Sequence, residues 1–428
     1  VPDAAGWDEE APPPRAAPTR PAERLPLLDV LRGISICGIL FLNIWLMGSV
    51  PGVETDPRIA GWSAADRFVW WVQMLFVEGT MRGLLEILFG AGFILLADKG
   101  MRAGRYYRRT ALLILFGLVH GYLLLWPGDI LLIYGLAGLF LWLLRDLEPR
   151  QMIGAGAAGI VMLTGLGLGA TLGAANMQAF AEGAETQGAG EDNALVADWH
   201  AYLASLAPDA EEAAESRAAR SGSLSDNWHY KVRWANELND LGSTRIWLFE
   251  PLSMMLIGAA LMRLGVLSGG GDRKVYLWML AVGYGLGIPL NAAEWGQMAA
   301  AGFRVPIPML AWSDPLSRTA VTIGHLGLLT LLWKGAAGTR LQRLFAPAGR
   351  MALTNYIGQT LICQWWLFPG FGLGLHGRLS IAQLWGVAAV ILAVQLVASR
   401  LWLSRFAFGP LEWIWRWGTY GRRPHLLK

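Results

Sequence analysis

The chain has 428 residues, of which 54% are hydrophobic and 16% charged, with a formal net charge of +3. Soluble globular domains carry about a quarter charged residues, so this composition excludes an ordinary water-soluble domain and makes lipid the main solvent. Cys37 and Cys363 stand far apart in apolar runs, without the close Cys/His spacing of a zinc or haem site, so neither a disulfide framework nor a metal centre is expected.

Residues 1–26, with Pro12, Pro13 and Pro14 among scattered Arg and Glu, read as a flexible tail without the apolar core or cleavage site of a secretory signal. Beyond it the fold class is all-α, a polytopic transmembrane helix bundle. Only a helix or a closed barrel satisfies its backbone in lipid, and a crossing helix takes roughly 17 to 25 mostly apolar residues. About ten spans are predicted, at 28–47, 80–97, 110–126, 129–145, 152–175, 244–265, 275–293, 315–333, 350–368 and 381–403. They form an N-terminal membrane half, 27–175, and a C-terminal half, 243–408, separated by an acidic insert, 176–242, and followed by an amphipathic tail, 409–428. The stretch Ala65–Glu78, rich in Trp and Phe, has the make-up of a helix lying along the membrane surface.

The loop Asp98–Arg109 carries Lys99, Arg102, Arg105, Arg108 and Arg109 against one acid, which the positive-inside rule places in the cytoplasm. Counting alternate loops from there puts Arg15, Arg20 and Arg24, then Arg263, Arg273 and Lys274, then Lys334, Arg340, Arg343 and Arg350, and finally Arg416, Arg422, Arg423 and Lys428 on the same face. Both termini are therefore predicted to be cytoplasmic. The insert, with twelve acidic residues against four basic ones, falls outside. Trp45, Trp126, Trp312, Trp365 and Trp366 at outer ends, and Trp333, Trp402, Trp413 and Trp415 at inner ends, read as interfacial anchors. Gly165, Gly169 and Gly173 make a small-residue stripe suited to close helix packing. No internal repeat is evident.

Ionisable groups at membrane depth are costly, so those inside the spans carry the most information. Asp29, Arg32 and Asn43 share one face of the first span. Asp29 and Arg32 either pair one turn apart or bind a ligand, and the sequence leaves both open. His120 lies one or two turns beneath the outer surface, with Asp129 opening the next span at similar depth, and with Asn43, Arg82 and Glu86 on others. Gathered into one outer-leaflet pocket, Asp129 would orient the imidazole as a general base; taken singly, His120 would be a helix-linking hydrogen bonder. Asn355, Tyr356 and Gln359 in the ninth span serve either interhelical hydrogen bonding or ligand binding. Glu250-Pro251 reads as a helix start, and His325 lies mid-span. No phosphate-binding loop, nucleophile elbow or HExxH pair is present, which argues against ATP hydrolysis, serine hydrolysis and zinc proteolysis.

Six ordered motifs resemble those of the YeiB family, over about Arg24 to Tyr420. They are Leu28-Asp29 to Arg32-Gly33 with Gly38-Ile39 and Asn43; Leu88-Phe89-Gly90-Ala91-Gly92; His120-Gly121 with Gly128-Asp129-Ile130-Leu131 and Tyr134; Met255-Leu256-Ile257-Gly258; Gly349-Arg350-Met351-Ala352-Leu353-Thr354-Asn355-Tyr356; and Gly409-Pro410 with Glu412-Trp413 and Trp415-Arg416. The resemblance implies a multi-pass protein of the bacterial inner membrane. It also implies kinship with transmembrane acyltransferases, which move an acyl group from a cytoplasmic thioester to a sugar or similar acceptor across the membrane. Those relatives use a His soon after the first span, whereas residues 44–119 here contain none. Thr80 stands where the family commonly has Lys, and Glu86 where it has a small neutral residue.

Three functions follow as expectations, an acyltransferase first, a carrier second, and third a non-catalytic scaffold whose acidic insert, 176–242, docks an envelope partner. In an acyltransferase, His120 would act as base or transient acyl acceptor oriented by Asp129, Asn43 or Arg82 would stabilise the oxyanion, and Arg108 and Arg109 would hold the phosphates of an acyl-CoA co-substrate. In a transporter or flippase, the charged groups of both leaflets would pass a small amphiphile or lipid. Membrane lipids and a small-molecule, lipid or sugar substrate are the expected partners, with homo-oligomers open, no nucleic acid, and no resident cofactor.

Overall fold

The computed structural model of the chain describes residues 25–188, 190, 192–206, 210–239, 248–303 and 311–428. The tail through Arg24 and residues 244–247 of the sixth expected span lie outside the described residues.

Helix α1 (Pro26–Gly48) starts at a proline, whose missing N–H costs nothing in a first turn, and is buried on nearly every side, as suits a central helix. After it come α2 (Ala64–Val72), prolonged by a π-turn over Gln73–Val77, then α3 (Thr80–Asp98) and α4 (Ala103–Leu118), itself prolonged by a π-turn over Val119–Leu123. The first half ends with α5 (Leu131–Leu141) and the long α6 (Pro149–Thr186). Three helices follow, α7 (Ala194–Leu206), α8 (Ala210–Ser221) and α9 (Leu224–Leu238). The second half holds α10 (Phe249–Arg263), α11 (Arg273–Ala300), α12 (Asp314–Lys334), α13 (Gly338–Arg350), α14 (Ala352–Ile362) with a third π-turn over Cys363–Leu367, α15 (Ile381–Arg405) and α16 (Pro410–Tyr420).

Each of the ten expected segments is thus occupied by a helix. Among the described residues five stretches, Pro26–Gly48, Ala64–Asp98, Pro149–Thr186, Arg273–Ala300 and Ile381–Arg405, are long and apolar enough to cross a membrane alone. A sixth candidate joins Ala311–Lys334 to Gly338–Arg350 through a bend of 119°. The protein is an all-helical, multi-pass membrane protein.

Glycines set the two tightest crossings around the centre. A Cβ on Gly33 would lie 2.1 Å from the Phe345 carbonyl oxygen and one on Gly349 1.8 Å from that of Asp29, so α1 and α13 touch backbone to backbone. Gly90 and Gly258 do the same for α3 and α10, with Cβ clashes of 1.8 Å on Met255 and 2.0 Å on Ile87. Four of the six family motifs therefore contribute a packing glycine.

Three expectations are corrected, and the insert is seen to dock. Ala65–Glu78 does not lie free along a surface: its Asp66, Trp70, Gln73 and Met74 are buried, and the Asp66 carboxylate accepts the Ala382 N–H at 2.9 Å, tying α2 to the start of α15. Trp45 and Trp126 are buried within the protein and anchor no interface. Around Gly165, Gly169 and Gly173 nothing lies within 4 Å, because α6 turns a different set, Gly156, Gly159 and Gly167, toward Ser253 and Trp312. Finally, α6 runs on past residue 175 to Thr186, and the insert helices dock on the bundle: the Arg220 guanidinium donates to the Met47 carbonyl at 3.1 Å and the Gly370 N–H to the Arg220 carbonyl at 2.6 Å.

Candidate functional site

His120 sits in the π-turn that ends α4, a local widening of the helix often found at functional positions. Its Nδ1 lies 2.6 Å from Oδ1 of Asp129 and its Nε2 2.8 Å from Oγ1 of Thr360. An ionised Asp129 can only accept, so Nδ1 carries a proton, and Nε2 shares its hydrogen bond with the Thr360 hydroxyl, which can serve as donor or acceptor. The other Asp129 oxygen accepts the Leu132 N–H at 2.7 Å, in the first turn of α5. His120 and Asp129 thus meet as expected, but the imidazole is fully buried and both of its nitrogens are engaged. Thr360 gave no signal in the sequence, since a Thr inside a span is ordinary.

Arg82 and Glu86 are not part of that cluster. The Arg82 guanidinium donates to Oε2 of Glu250 at 2.8 Å and lies 3.5 Å from Glu86, while Arg318 approaches the second Glu250 oxygen at 3.8 Å and pairs with Asp314. The expected single outer pocket is therefore two clusters, and Glu250 is the hub of the second where the sequence reading made it a helix start. Arg318, a cation inside the eighth expected span, is the sequence signal that marks this cluster. His325 bridges helices: its Nε2 donates to the Phe76 carbonyl at 2.7 Å, so Nδ1 accepts the Tyr284 hydroxyl at 2.5 Å.

The open space lies elsewhere. A cavity of about 470 Å³ is enclosed by α1, α3, α4, α5, α14 and α16. Its walls are apolar, with Ile36, Leu85, Phe89, Leu113 and Leu353 among them, and its mouth carries Arg32, Lys99, Arg109, Arg350 and Arg416 against only Asp29 and Glu412. Both acids are committed: Asp29 accepts from Arg32 at 3.1 Å, and Glu412 accepts the Thr354 N–H at 3.0 Å and its hydroxyl at 2.6 Å. The Arg109 guanidinium stacks on Trp415 at 3.7 Å and has no carboxylate partner among the described residues. Helix α16, expected as an interfacial tail, is thus one wall of the cavity. From Leu28 to Ile36 the α1 wall rises about 12 Å, most of the roughly 15 Å of hydrocarbon in one leaflet.

The inner end of this cavity is Ile130, Tyr134 and Tyr356. The Tyr356 ring stands 4.9 Å from that of His120, and its hydroxyl accepts the Ile130 N–H at 3.3 Å. Tyr134 donates to the Arg82 carbonyl at 3.2 Å, so the two tyrosines separate the cavity from both charged clusters. Of the remaining expected site residues, Arg108 is exposed, and it and the buried Asn43 do not line the cavity. Asn355 and Gln359 are interhelical linkers: Asn355 donates to Ser399 at 3.0 Å and Gln359 to Gln395 at 3.1 Å. Among the described residues no group of three His, Cys, Asp or Glu is placed to hold a metal ion.

Comparison with known proteins agrees with the motifs. Residues 261–422 match a family model described as a protein of unknown function, DUF418. The chain is 35% identical to the uncharacterized protein YeiB of Escherichia coli (strain K12) over 403 residues, 92% of this chain and 96% of that protein. It is 29% identical to the uncharacterized protein YxaH of Bacillus subtilis (strain 168), over 94% of this chain and 96% of the other, and 25% identical to an uncharacterized 39.9 kDa protein of Bacillus acidopullulyticus, over 95% and 97%. With the ordered motifs accounted for by helix crossings, a shared cavity wall and the His120–Asp129 contact, and with one relative matched end to end at this identity, the chain belongs to the YeiB family.

Proposed function

We propose that this protein spans the bacterial inner membrane about ten times with both termini in the cytoplasm, and that it binds an anionic amphiphile from the cytoplasmic leaflet and carries it across. The observation that carries the reading is the cavity of about 470 Å³, apolar within, with the Arg109 guanidinium on its wall resting on Trp415 and no carboxylate beside it among the described residues. An apolar chain fits the Leu, Ile and Phe walls, and a phosphate or carboxylate head fits Arg32 and Arg109, whose planar donors suit such oxyanions. The basic mouth also lies on the face that the positive-inside rule assigns to the cytoplasm.

Acyl transfer is the second reading, favoured by the position of Tyr356 between the cavity and His120. A thioester whose acyl end reached Tyr356 would meet His120 once Thr360 gave way: Nε2, on a ring already oriented by Asp129, would take the acceptor's proton as the acceptor attacks the thioester carbon, and would return it to the thiolate released when the C–S bond breaks. The sealed imidazole is the reason this reading comes second.

The test is a reconstituted protein offered a fluorescent anionic single-chain phospholipid. The carrier reading expects protein-dependent flip without covalent change, reduced about tenfold or more in Arg109→Gln, since a hydrogen bond to a charged group is worth about 1.5–3 kcal/mol. Absence of flux, together with thioester consumption that is lost in His120→Ala, would replace it with acyl transfer.

A further inference from the structure

At the other end of α1 a second cavity, of about 220 Å³, lies between the loop after Gly48, helices α8 and α9, and His376. Its acids and bases are sorted by depth. Glu54 and Glu212, both exposed, stand at the rim, while the floor holds the buried Lys231 and Ser216 with the half-buried His376 beside them. Lys231 is only 2% exposed and has no carboxylate partner among the described residues; its ammonium lies 4.3 Å from the centre of the Trp234 ring and 5.9 Å from that of Tyr230. Arg220, fully buried behind the floor, donates to Asn227 at 3.0 Å and to the Met47 carbonyl, which leaves its Nε without an acceptor. Nδ2 of Asn227 and Nδ1 of His376 are also buried and unmatched, while Nε2 of His376 meets the Ser216 hydroxyl at 3.1 Å.

Every unmatched group here is able to donate, and nothing at the floor is anionic. Burying a cation without a partner costs several kcal/mol, so a buried ammonium facing a polar cavity is a place where an acceptor is missing. The titration behaviour agrees. Burial, with Arg220 beside it, pushes Lys231 well below its ordinary value, and burial with Arg220, Lys231 and Arg217 around it pushes His376 down as well.

We propose that this pocket is an anion site that takes the phosphate group of a small solute or of a lipid headgroup, bound by the Lys231 ammonium with Ser216 and His376 and backed by Arg220. The acidic rim disfavours long polyanions and leaves room for one anionic group beneath a neutral or cationic remainder that lies against Trp234. This site is separate from the apolar cavity and does not depend on the carrier reading.

The experiment is calorimetric titration of the full chain, in a phosphate-free detergent, with glycerol phosphate and inorganic phosphate against a sodium chloride control. Native mass spectrometry for co-purified phospholipid accompanies it. Wild type should bind a phosphate saturably. Lys231→Met should bind it about tenfold to hundredfold more weakly, the loss of one hydrogen bond to a charged group, while melting no lower, because it removes an unpaired buried charge. Ser216→Ala, a gentler change at the floor, should weaken binding severalfold and serves if the methionine variant does not fold. Phospholipid retained by wild type and lost from Lys231→Met, with no soluble phosphate bound, identifies the headgroup as the source. Neither phosphate nor phospholipid bound, or an affinity unchanged by both substitutions, overturns the proposal.

Discussion

Arginine is used in two opposite ways within this bundle. Around Glu250, Arg82 and Arg318 meet Glu86, Glu250 and Asp314, so each guanidinium has an acid in reach and the cluster ties α3, α10 and α12 together. At the mouth of the large cavity the basic side chains outnumber the acids, the acids are already held by Arg32 and Thr354, and Arg109 rests on a tryptophan face. Charges that satisfy one another knit helices and leave no call on a ligand. A guanidinium such as that of Arg109, beside apolar walls with no carboxylate against it among the described residues, creates a demand that a ligand can meet.

That contrast can be broken most directly at its hub. Glu250→Leu should leave Arg82 to Glu86 and Arg318 to Asp314 with no acid joining the two, and a broken buried pair costs about 3–5 kcal/mol. We expect the variant to lose monodisperse, thermally stable protein in detergent, whereas Arg109→Gln at the mouth should melt close to wild type. Equal melting of the two variants would mean that the Glu250 cluster does no more structural work than the mouth.

A sharper test uses two glycines of one motif. Gly90→Ala forces a methyl onto the Met255 carbonyl, so α3 and α10 must part, with an expected cost of about 1–3 kcal/mol. Gly92 lines the cavity and has nothing within 4 Å of a built Cβ. Gly92→Leu should therefore fold at least as stably, gaining about 0.5–1 kcal/mol from helix propensity, yet occupy the cavity and abolish amphiphile flux. Flux surviving Gly92→Leu would show that the ligand does not travel through this space.

The smallest expected effect is a slope. The folded-state value of Lys231 is depressed, so below that value both folded and unfolded chains carry the proton and stability does not respond to pH through this group. Between the depressed value and the ordinary 10.5 only the unfolded chain carries it, so stability rises with pH across that window. Melting curves of wild type and Lys231→Met should diverge at the acid end and draw together as pH increases, and a constant difference would mean that Lys231 titrates normally.

All ten apolar stretches became helices because lipid leaves a backbone no other arrangement, and length with hydropathy is a property of the chain alone. The contact of His120 with Asp129 was also within reach of the sequence: nine residues separate them across one turn between adjacent helices. Its sealing by Thr360, 240 residues away, was not. Nor was the division of one imagined pocket into two clusters, since depth along a span says how far down a residue sits and nothing about which neighbour it faces.

The tryptophans show the same limit. Trp45 and Trp126 sit where interfacial anchors belong, but the insert helices cover that end of the bundle and make it interior, as the contact of Trp126 with Trp234 of α9 records. Sequence by itself determined that this is a helical, multi-pass membrane protein, and which family it belongs to, because those follow from composition and ordered motifs. Only the tertiary structure decided which charges are spent on one another and which still face empty space, because that depends on how helices distant in sequence turn their faces together.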